Sequence, residues 1–254
     1  MDSCFKEGDF VLLVNQKGKS FILSLARGSA FHCQDGVIKH DDVLKCQPGQ
    51  SILTSTGALL RAFVPTLSER IMKFKRGAQI IYPKDIAMIL IEADIYPGIT
   101  VLEAGVGSGA LSFILASYGA KVTGYEIRED FYKIATLNLE RFSNANKLNL
   151  QIINDDVRNV KNGNFQRIVL DLPSPWDVIP EIASFLVPGG IIICFLPNLN
   201  QVKNTALCLK EHGFTRISVL ECLTRNWLVD EVRLRPELIM RGHSGFITKA
   251  FKLG

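Results

Sequence analysis

The chain has 254 residues, of which 47% are hydrophobic and 21% charged, and a formal net charge of +4. This balance excludes a disordered or fibrous chain, and at roughly 150 residues per domain the length allows one large domain and a small appendage, with no need for staples. A charge of +4 is compatible with a polyanionic partner but too mild to name one. The six cysteines, Cys4, Cys33, Cys46, Cys194, Cys208 and Cys222, never form a C-x-x-C pair. They indicate neither a zinc site nor a disulfide framework, and each reads as a small buried apolar residue. The start, MDSCFKEGDF, lacks the apolar run of a signal peptide, and no stretch reaches the ~18 apolar residues of a membrane span. The expectation is a soluble, cytoplasmic protein with no membrane partner.

In chain order, FVLLV, SFILSLA, GVIKH and SILTS are short β-type runs between turn-forming residues. They predict a small β-rich domain, placed at residues 1–68, ahead of a larger one at 69–254. From Tyr82 the pattern changes. Pro83 suits a first helical turn, and Ile86, Ile89, Leu90 and Ala93 recur at helical spacing. TVLEA (100–104) predicts a strand, Ala110 to Tyr118 a helix, and KVTGYE (121–126) a second strand. Phe131, Ile134, Ala135 and Phe142 mark the buried side of the next helix. LNLQIIN (148–154), QRIVLDL (166–172) and GGIIICFLP (189–197) add three strands, with helices expected near 178–187 and 200–212. Alternating apolar strands and helices imply an α/β fold with a parallel sheet covered on both faces. RISVLECL (216–223) and GFITKAFKL (245–253) are both strand-like with no helix between them, which fits an antiparallel final strand.

V-L-E-A-G-V-G-S-G-A-L (101–111) puts Gly105, Gly107 and Gly109 at the carboxyl end of the first strand of this alternation, opening a helix. Ligands bind there in open α/β sheets, because glycine lets backbone N–H groups come close. The spacing is G-x-G-x-G rather than the dinucleotide form, and the bland alternative is a tight turn without a ligand. The second strand ends in Glu126, ~20 residues on, where a carboxylate accepts from both hydroxyls of a ribose. Asp155 and Asp156 follow the third strand as acceptors for an adenine amino group or as helix caps, with Asp156 preferred. Without a second phosphate motif, these features fit S-adenosylmethionine better than a dinucleotide. D-L-P-S-P-W (171–176) ends the fourth strand with Asp171 at the crevice mouth. Its two prolines withhold N–H groups and leave carbonyls for an amino-bearing planar substrate. Trp176 either stacks on a base or simply packs.

The chain resembles the tRNA adenine-N1 methyltransferases that act on the T-loop adenine at tRNA position 58. The likeness rests on M-K-F-K-R-G-A-Q-I-I-Y-P-K-D (72–85), the glycine motif, Y-E-I-R-E-D-F (125–131), L-D-L-P-S-P-W (170–176) and R-P-E-L-I-M-R-G-H-S-G-F (235–246). It covers nearly the whole chain. The K-R-G-A-Q-I-I-Y-P-K-D block and G-H-S-G-F are its selective parts. It implies a Rossmann-like class I methyltransferase with a mostly parallel seven-stranded sheet behind a small N-terminal β-domain. It also implies Glu103, Gly105, Gly107, Ser108, Gly109, Ala110, Leu111, Glu126, Asp156 and Asp171 as the cofactor site. Asp171 would act at the target base, Tyr82 would border its pocket, and no metal takes part. Family members often carry Thr where this chain has Ser112 and Ser244.

The reaction implied is methyl transfer from S-adenosylmethionine to N1, with Asp171 accepting from the exocyclic amino group and stabilising the cationic product ring. The base, buried in folded tRNA, must first be flipped out. Arg61, Arg70, Lys73, Lys75, Arg76 and Lys84, and then Arg225, Arg233, Arg235, Arg241 and His243, supply basic residues for an RNA. Binding through phosphates would weaken steeply with salt. His243 reads as structural or as a phosphate contact rather than a base. The resemblance further implies tRNA as partner and a homo-oligomer, a tetramer. Two alternatives are a methyltransferase acting on another RNA or adenine position, and a non-catalytic tRNA-binding subunit; the intact glycine loop, Glu126 and Asp171 speak against the latter.

Overall fold

The computed structural model describes residues 4–77, 79–143 and 148–254. Its contacts form two compact units, Met1–Phe74 with Glu140–Lys147, and Lys75–Leu139 with Leu148–Gly254.

The first unit contains β1 (Phe10–Asn15), β2 (Ser20–Ser24), β3 (Ala30–Cys33), β4 (Gly36–Lys39), the turn-length helix α1 (His40–Val43), β5 (Ser51–Leu53), β6 (Leu59–Phe63) and α2 (Leu67–Met72). Four strands make an antiparallel sheet in the order β2-β1-β6-β5, and β3 pairs with β4 in a separate hairpin. Val11 and Leu13 of the FVLLV run pack with Leu25, Ile38, Val43 and Leu60 in one apolar core. Strands β3 and β6 go beyond the four runs read from the sequence. Each is short, and His32 or Arg61 interrupts its apolar residues, so the alternation signal is weak. Helix α2 begins with a capping box in which Thr66 and Glu69 satisfy each other's backbone N–H groups.

The second unit contains α3 (Pro83–Glu92), β7 (Thr100–Ala104), α4 (Ala110–Ser117), β8 (Lys121–Tyr125), most of α5 (Glu129–Phe142), β9 (Leu150–Ile153), β10 (Phe165–Leu170), α6 (Ile179–Ile182), β11 (Leu186–Leu196), α7 (Leu199–Glu211), β12 (Phe214–Glu221), β13 (Trp227–Val229), β14 (Leu234–Pro236) and β15 (Phe246–Lys252). Its seven-stranded sheet has the order β12-β15-β11-β10-β7-β8-β9. The pairs from β11 through β9 are all parallel, and β15 runs antiparallel to both β11 and β12. This is the mostly parallel sheet with an antiparallel final strand that the alternation predicted. The order reverses around β7, whose neighbours β8 and β10 lead off in opposite directions. A crevice therefore opens at the carboxyl end of β7. Strands β10 and β11 are continuous apolar runs because both faces are covered, and Ile168, Leu170, Ile192, Cys194 and Leu196 lie in the core. Every residue of α4 from Ala110 to Ala116 is buried, as expected of a helix apolar all round.

Two expectations are corrected. The helix near 178–187 is one turn, α6, continued only by a 3₁₀ turn at Ala183–Phe185. Leu186 is already in β11, paired with Phe165, so the sheet claims the chain before the helix can lengthen. Of the six cysteines only Cys194 and Cys208 are buried, while Cys4 is exposed and the others intermediate. Those four sit in short strands or loops, and of them Cys46 packs against the apolar core of the first unit. No described helix is long and apolar enough to cross a membrane.

Candidate functional site

The carboxyl ends of β7, β8, β9 and β10 enclose a cavity of about 530 Å³, within the size range of small-molecule sites. Its walls are Ala104 and Gly105 after β7, Tyr125 to Ile127 after β8, Asp155 to Arg158 after β9, and Leu172 to Ser174 with Asp177 and Val178 after β10. Ile127, Val157, Leu172 and Val178 offer apolar faces to a flat ring, and the carboxylates offer acceptors at its edge.

The glycine turn is shaped by its neighbours. Gly105 has φ +83°, and a Cβ built there would collide with the backbone carbonyl of Asp171. The collision follows from sheet pairing, because the Asp171 amide donates to the Ala104 carbonyl at 2.9 Å. Strand order thus sets Asp171 directly beside the glycine turn. Gly107, at φ +57°, donates its amide to Glu126 Oε2 at 2.8 Å, while Glu126 Oε1 accepts from the Arg128 amide at 3.0 Å. Each carboxylate oxygen keeps acceptor capacity, and Glu126 lines the cavity. Ser108 is buried, and its carbonyl accepts from Asn138 at 2.9 Å. Gly109 caps α4 in a left-handed conformation with no capping side chain, and the buried residues Ala110 and Leu111 form the helix's first turn. The early amides of such a helix are suited to a ligand.

Three carboxyl groups crowd the turn. Glu103 is 1% exposed and its Oε2 has no hydrogen-bond partner. Burial, together with the charges of Asp171 and Glu126, pushes its pKa up to about 8, against the opposing pull of Ser112. Asp171 is half-buried, and desolvation followed by the charge of Glu126 raises it to about 7. Such a cluster attracts a cation, which lowers the cost of ionising it.

Asp155 and Asp156 both line the cavity. Asp156 is held by Arg158, with contacts down to 2.5 Å, and its carboxyl lies below the usual range because of that hydrogen bond. Asp155 accepts from the Asp156 amide and from Asn159, both at 2.8 Å. Tyr82 is the N-cap of α3 and lies under the Arg241 guanidinium, 4.3 Å from the ring centre. Tyr82 and Asp171 are not among the cavity-lining residues. Trp176 is partly buried and packs against the core, and its backbone carbonyl faces the Cys208 thiol.

The basic residues divide. Arg61, Lys73, Lys75, Arg76, Arg225 and Arg241 are exposed. Lys84, expected on an RNA-facing side, is instead almost buried in an ion pair with the adjacent Asp85 at 2.7 Å, because two further acceptors from distant parts of the chain, the Cys222 carbonyl and Ser244 Oγ, converge on it. Arg233 pairs with Asp230 at 2.6 Å and Arg235 bonds the Pro236 carbonyl. Arg70 lies over the Phe10 ring. His243 is pinned between Glu221 and the Pro197 carbonyl, in line with a structural reading. Ala78, inside the K-R-G-A-Q block, lies outside the described residues.

Two site-supporting residues escaped the sequence reading. Asn138 accepts from the Lys75 amide at 2.8 Å and donates to the carbonyls of Lys75 and Ser108 at 2.9 Å, so the K-R-G segment and the glycine turn share one amide side chain. Its signal was a polar residue one helical turn past Ile134 on the buried side of α5. Gln201 ties the Pro173 carbonyl at 2.7 Å and so holds the loop after Asp171 from α7; nothing local in the sequence marks it.

A positive-φ glycine with no room for a side chain, a buried carboxyl with one oxygen lacking a hydrogen-bond partner, and acceptor-rich walls fit an adenosine carrying a cationic tail. The family model described as tRNA methyltransferase complex GCD14 subunit matches residues 62–250, and that of the TrmI-like N-terminal region matches 4–52. The chain is 32% identical to the tRNA (adenine(58)-N(1))-methyltransferase TrmI of Thermus thermophilus, over 93% of this chain and 94% of that protein. It is also 32% identical to the tRNA (adenine(57)-N(1)/adenine(58)-N(1))-methyltransferase TrmI of Methanocaldococcus jannaschii, over 95% and 94%. Among solved structures, the Aquifex aeolicus tRNA (m1A58) methyltransferase TrmI aligns with TM-score 0.84 at 31% identity, covering 99% of both chains. A protein from Thermotoga maritima described as a SAM-dependent O-methyltransferase aligns with TM-score 0.90 at 33% identity, covering 99% of this chain and 96% of that one.

Fold and crevice together define an S-adenosylmethionine-dependent methyltransferase of the Rossmann-like class. Within that class, the chain belongs to the tRNA adenine-N1 methyltransferase family.

Proposed function

We propose that this chain methylates N1 of the adenine at position 58 of tRNA. The observation that carries the reading is the placement of Asp171, whose backbone is locked against Gly105 at the end of β10, beside the cofactor crevice. When bound, S-adenosylmethionine supplies an electrophilic methyl on its sulfonium. Glu126 would hold the ribose hydroxyls and Asp156, with Asp155 beside it, the adenine amino group. Glu103, Gly105, Gly107, Ser108, Gly109, Ala110 and Leu111 would form the wall on the methionine side. Asp171, once ionised, accepts a hydrogen bond from the exocyclic amino group of the target base and stabilises the charge that develops on its ring. Tyr82 would border that base, which must leave its stack to arrive. A tRNA in which adenine 58 is replaced by guanine should accept no methyl; undiminished transfer to it would refute the assignment. The Methanocaldococcus relative, whose name includes position 57, favours a second reading in which the neighbouring adenine is also methylated, and residual transfer to the substituted tRNA at 57 would support it.

The β-rich residues 1–68 would help grip the RNA, and the enzyme would work in the cytoplasm. We further place the chain in a homo-oligomer, a tetramer. The hairpin β13–β14 exposes Trp227, Val229, Val232 and Leu234, and an uncovered two-stranded ribbon is at best marginally stable in water. Light scattering on the purified protein should give a multiple of the chain mass; a monomer at micromolar concentration would contradict it.

A further inference from the structure

Lysine side chains usually sit in water, where an ion pair contributes little. Lys84 does not. Its Nζ lies 2.7 Å from Asp85 Oδ1, 2.6 Å from the Cys222 carbonyl and 2.5 Å from Ser244 Oγ. The ammonium has three protons and meets three acceptors, so its donor capacity is filled. Its side chain is 12% exposed and that of Asp85 is fully buried. A buried charge persists only when paired and hydrogen-bonded, which makes this geometry specific rather than incidental.

The two distant acceptors are the ends of one excursion of the chain. Between Cys222 and Ser244 runs an arm, residues 223–242, that carries β13 and β14. Glu221 and His243 fasten the same neck, with His243 Nδ1 at 2.5 Å from the carboxylate and Nε2 at 2.8 Å from the Pro197 carbonyl. Within the single chain the arm is fixed mainly at this neck: Val232, Leu238 and Ile239 beyond it are 91%, 88% and 88% exposed. Near its end, Arg241 returns to lie over the Tyr82 ring at 4.3 Å. Tyr82 begins the helical turn that bears Lys84, and its carbonyl accepts from the amides of Asp85 and Ile86 at 2.9 and 3.0 Å. Neck and arginine therefore both land on the first turn of α3.

We propose that Lys84 is a positioning residue, which joins the two ends of the 223–242 arm to the first turn of α3 and thereby seats Arg241 over Tyr82. The cation covers one face of the phenol and fixes the ring, leaving the other face and the remaining guanidinium N–H groups to the RNA. The catalytic part of this proposal rests on the reading of Tyr82 as a border of the target pocket.

Removing Lys84 alone would strand the buried Asp85, so the test uses K84M combined with D85N in the full-length enzyme, beside R241A, Y82L and the conservative K84R. Trypsin cleavage at Arg225 and Arg233 reports the arm, calorimetry with S-adenosylhomocysteine the cofactor site, and kcat and KM for unmodified tRNA the reaction. K84M/D85N should raise cleavage in the arm and lower kcat, each about tenfold, with cofactor affinity unchanged. R241A should lower kcat similarly, adding it to K84M/D85N should cause no further loss, and K84R should retain most of the rate. Unchanged cleavage, a looser arm with wild-type kcat, or losses that multiply fully would each overturn the proposal. So would a change confined to KM with a shallower salt dependence, the mark of a plain phosphate contact. Full turnover in Y82L would refute the reading of Tyr82 instead, whatever the Lys84 variants do.

Discussion

Asp171 combines two properties that pull in opposite directions. The role proposed for it requires a charge, and its surroundings, through burial and Glu126, raise its pKa to about 7. As pH falls through that value the carboxyl takes up a proton and no longer stabilises a cationic ring. The kcat/KM profile should therefore drop below about pH 7, approaching tenfold per unit, and a flat profile from pH 6 to 8 would show that Asp171 does not titrate in the free enzyme. Asp171→Asn, which keeps shape without charge, should lower kcat by about 10²–10³ while S-adenosylhomocysteine binding in a calorimeter stays near wild type. Gly105→Ala drives a methyl into the Asp171 carbonyl and should abolish measurable cofactor binding; wild-type affinity would contradict the close approach. The glycines, Glu126 and Asp171 were legible in the sequence because each stands at a strand end, where spacing along the chain maps onto position in the crevice. Lys84 was not. Its partners lie 138 and 160 residues away, and nothing near it in the chain distinguishes it from an exposed lysine.

At the scale of elements, long apolar strands and helices announced themselves, and several of the short ones did not. Strands β10 and β11 are continuous apolar runs, whereas β3, β13 and β14 are three or four residues long and exist through their hairpin partners. Helix α5 shows what periodicity conveys and what it leaves out. Its apolar stripe predicted the buried face, but Asn138 within that face bonds segments far apart in sequence. Asn138→Ala would leave the Lys75 amide and the Ser108 carbonyl without a partner. It should cost about 1–3 kcal/mol in urea denaturation and weaken cofactor binding together with stability. A loss of stability with unchanged cofactor affinity would confine Asn138 to structural support.

For the whole molecule, the carboxyl cluster links stability to pH. Glu103 and Asp171 have folded values of about 8 and about 7, above the ordinary 4.5 and 3.8. Between those limits the folded protein holds protons that the unfolded chain releases. Their contribution is fully present below about pH 4 and is lost as pH rises through 7 to 8. Denaturation midpoints of the cofactor-free protein should accordingly fall from pH 6 to pH 8.5, and the fall should be absent in a Glu103→Gln, Asp171→Asn double variant. The second unit of this +4 chain thus carries an acidic centre suited to a cationic donor, and the same unit exposes Lys75 and Arg225. The central claim is the acceptor atom. Unmodified tRNA incubated with the enzyme and methyl-labelled S-adenosylmethionine, then digested and analysed by mass spectrometry, should yield 1-methyladenosine in the T-loop fragment containing position 58. Label recovered as N6-methyladenosine, on a ribose oxygen or only outside the T-loop would contradict the account.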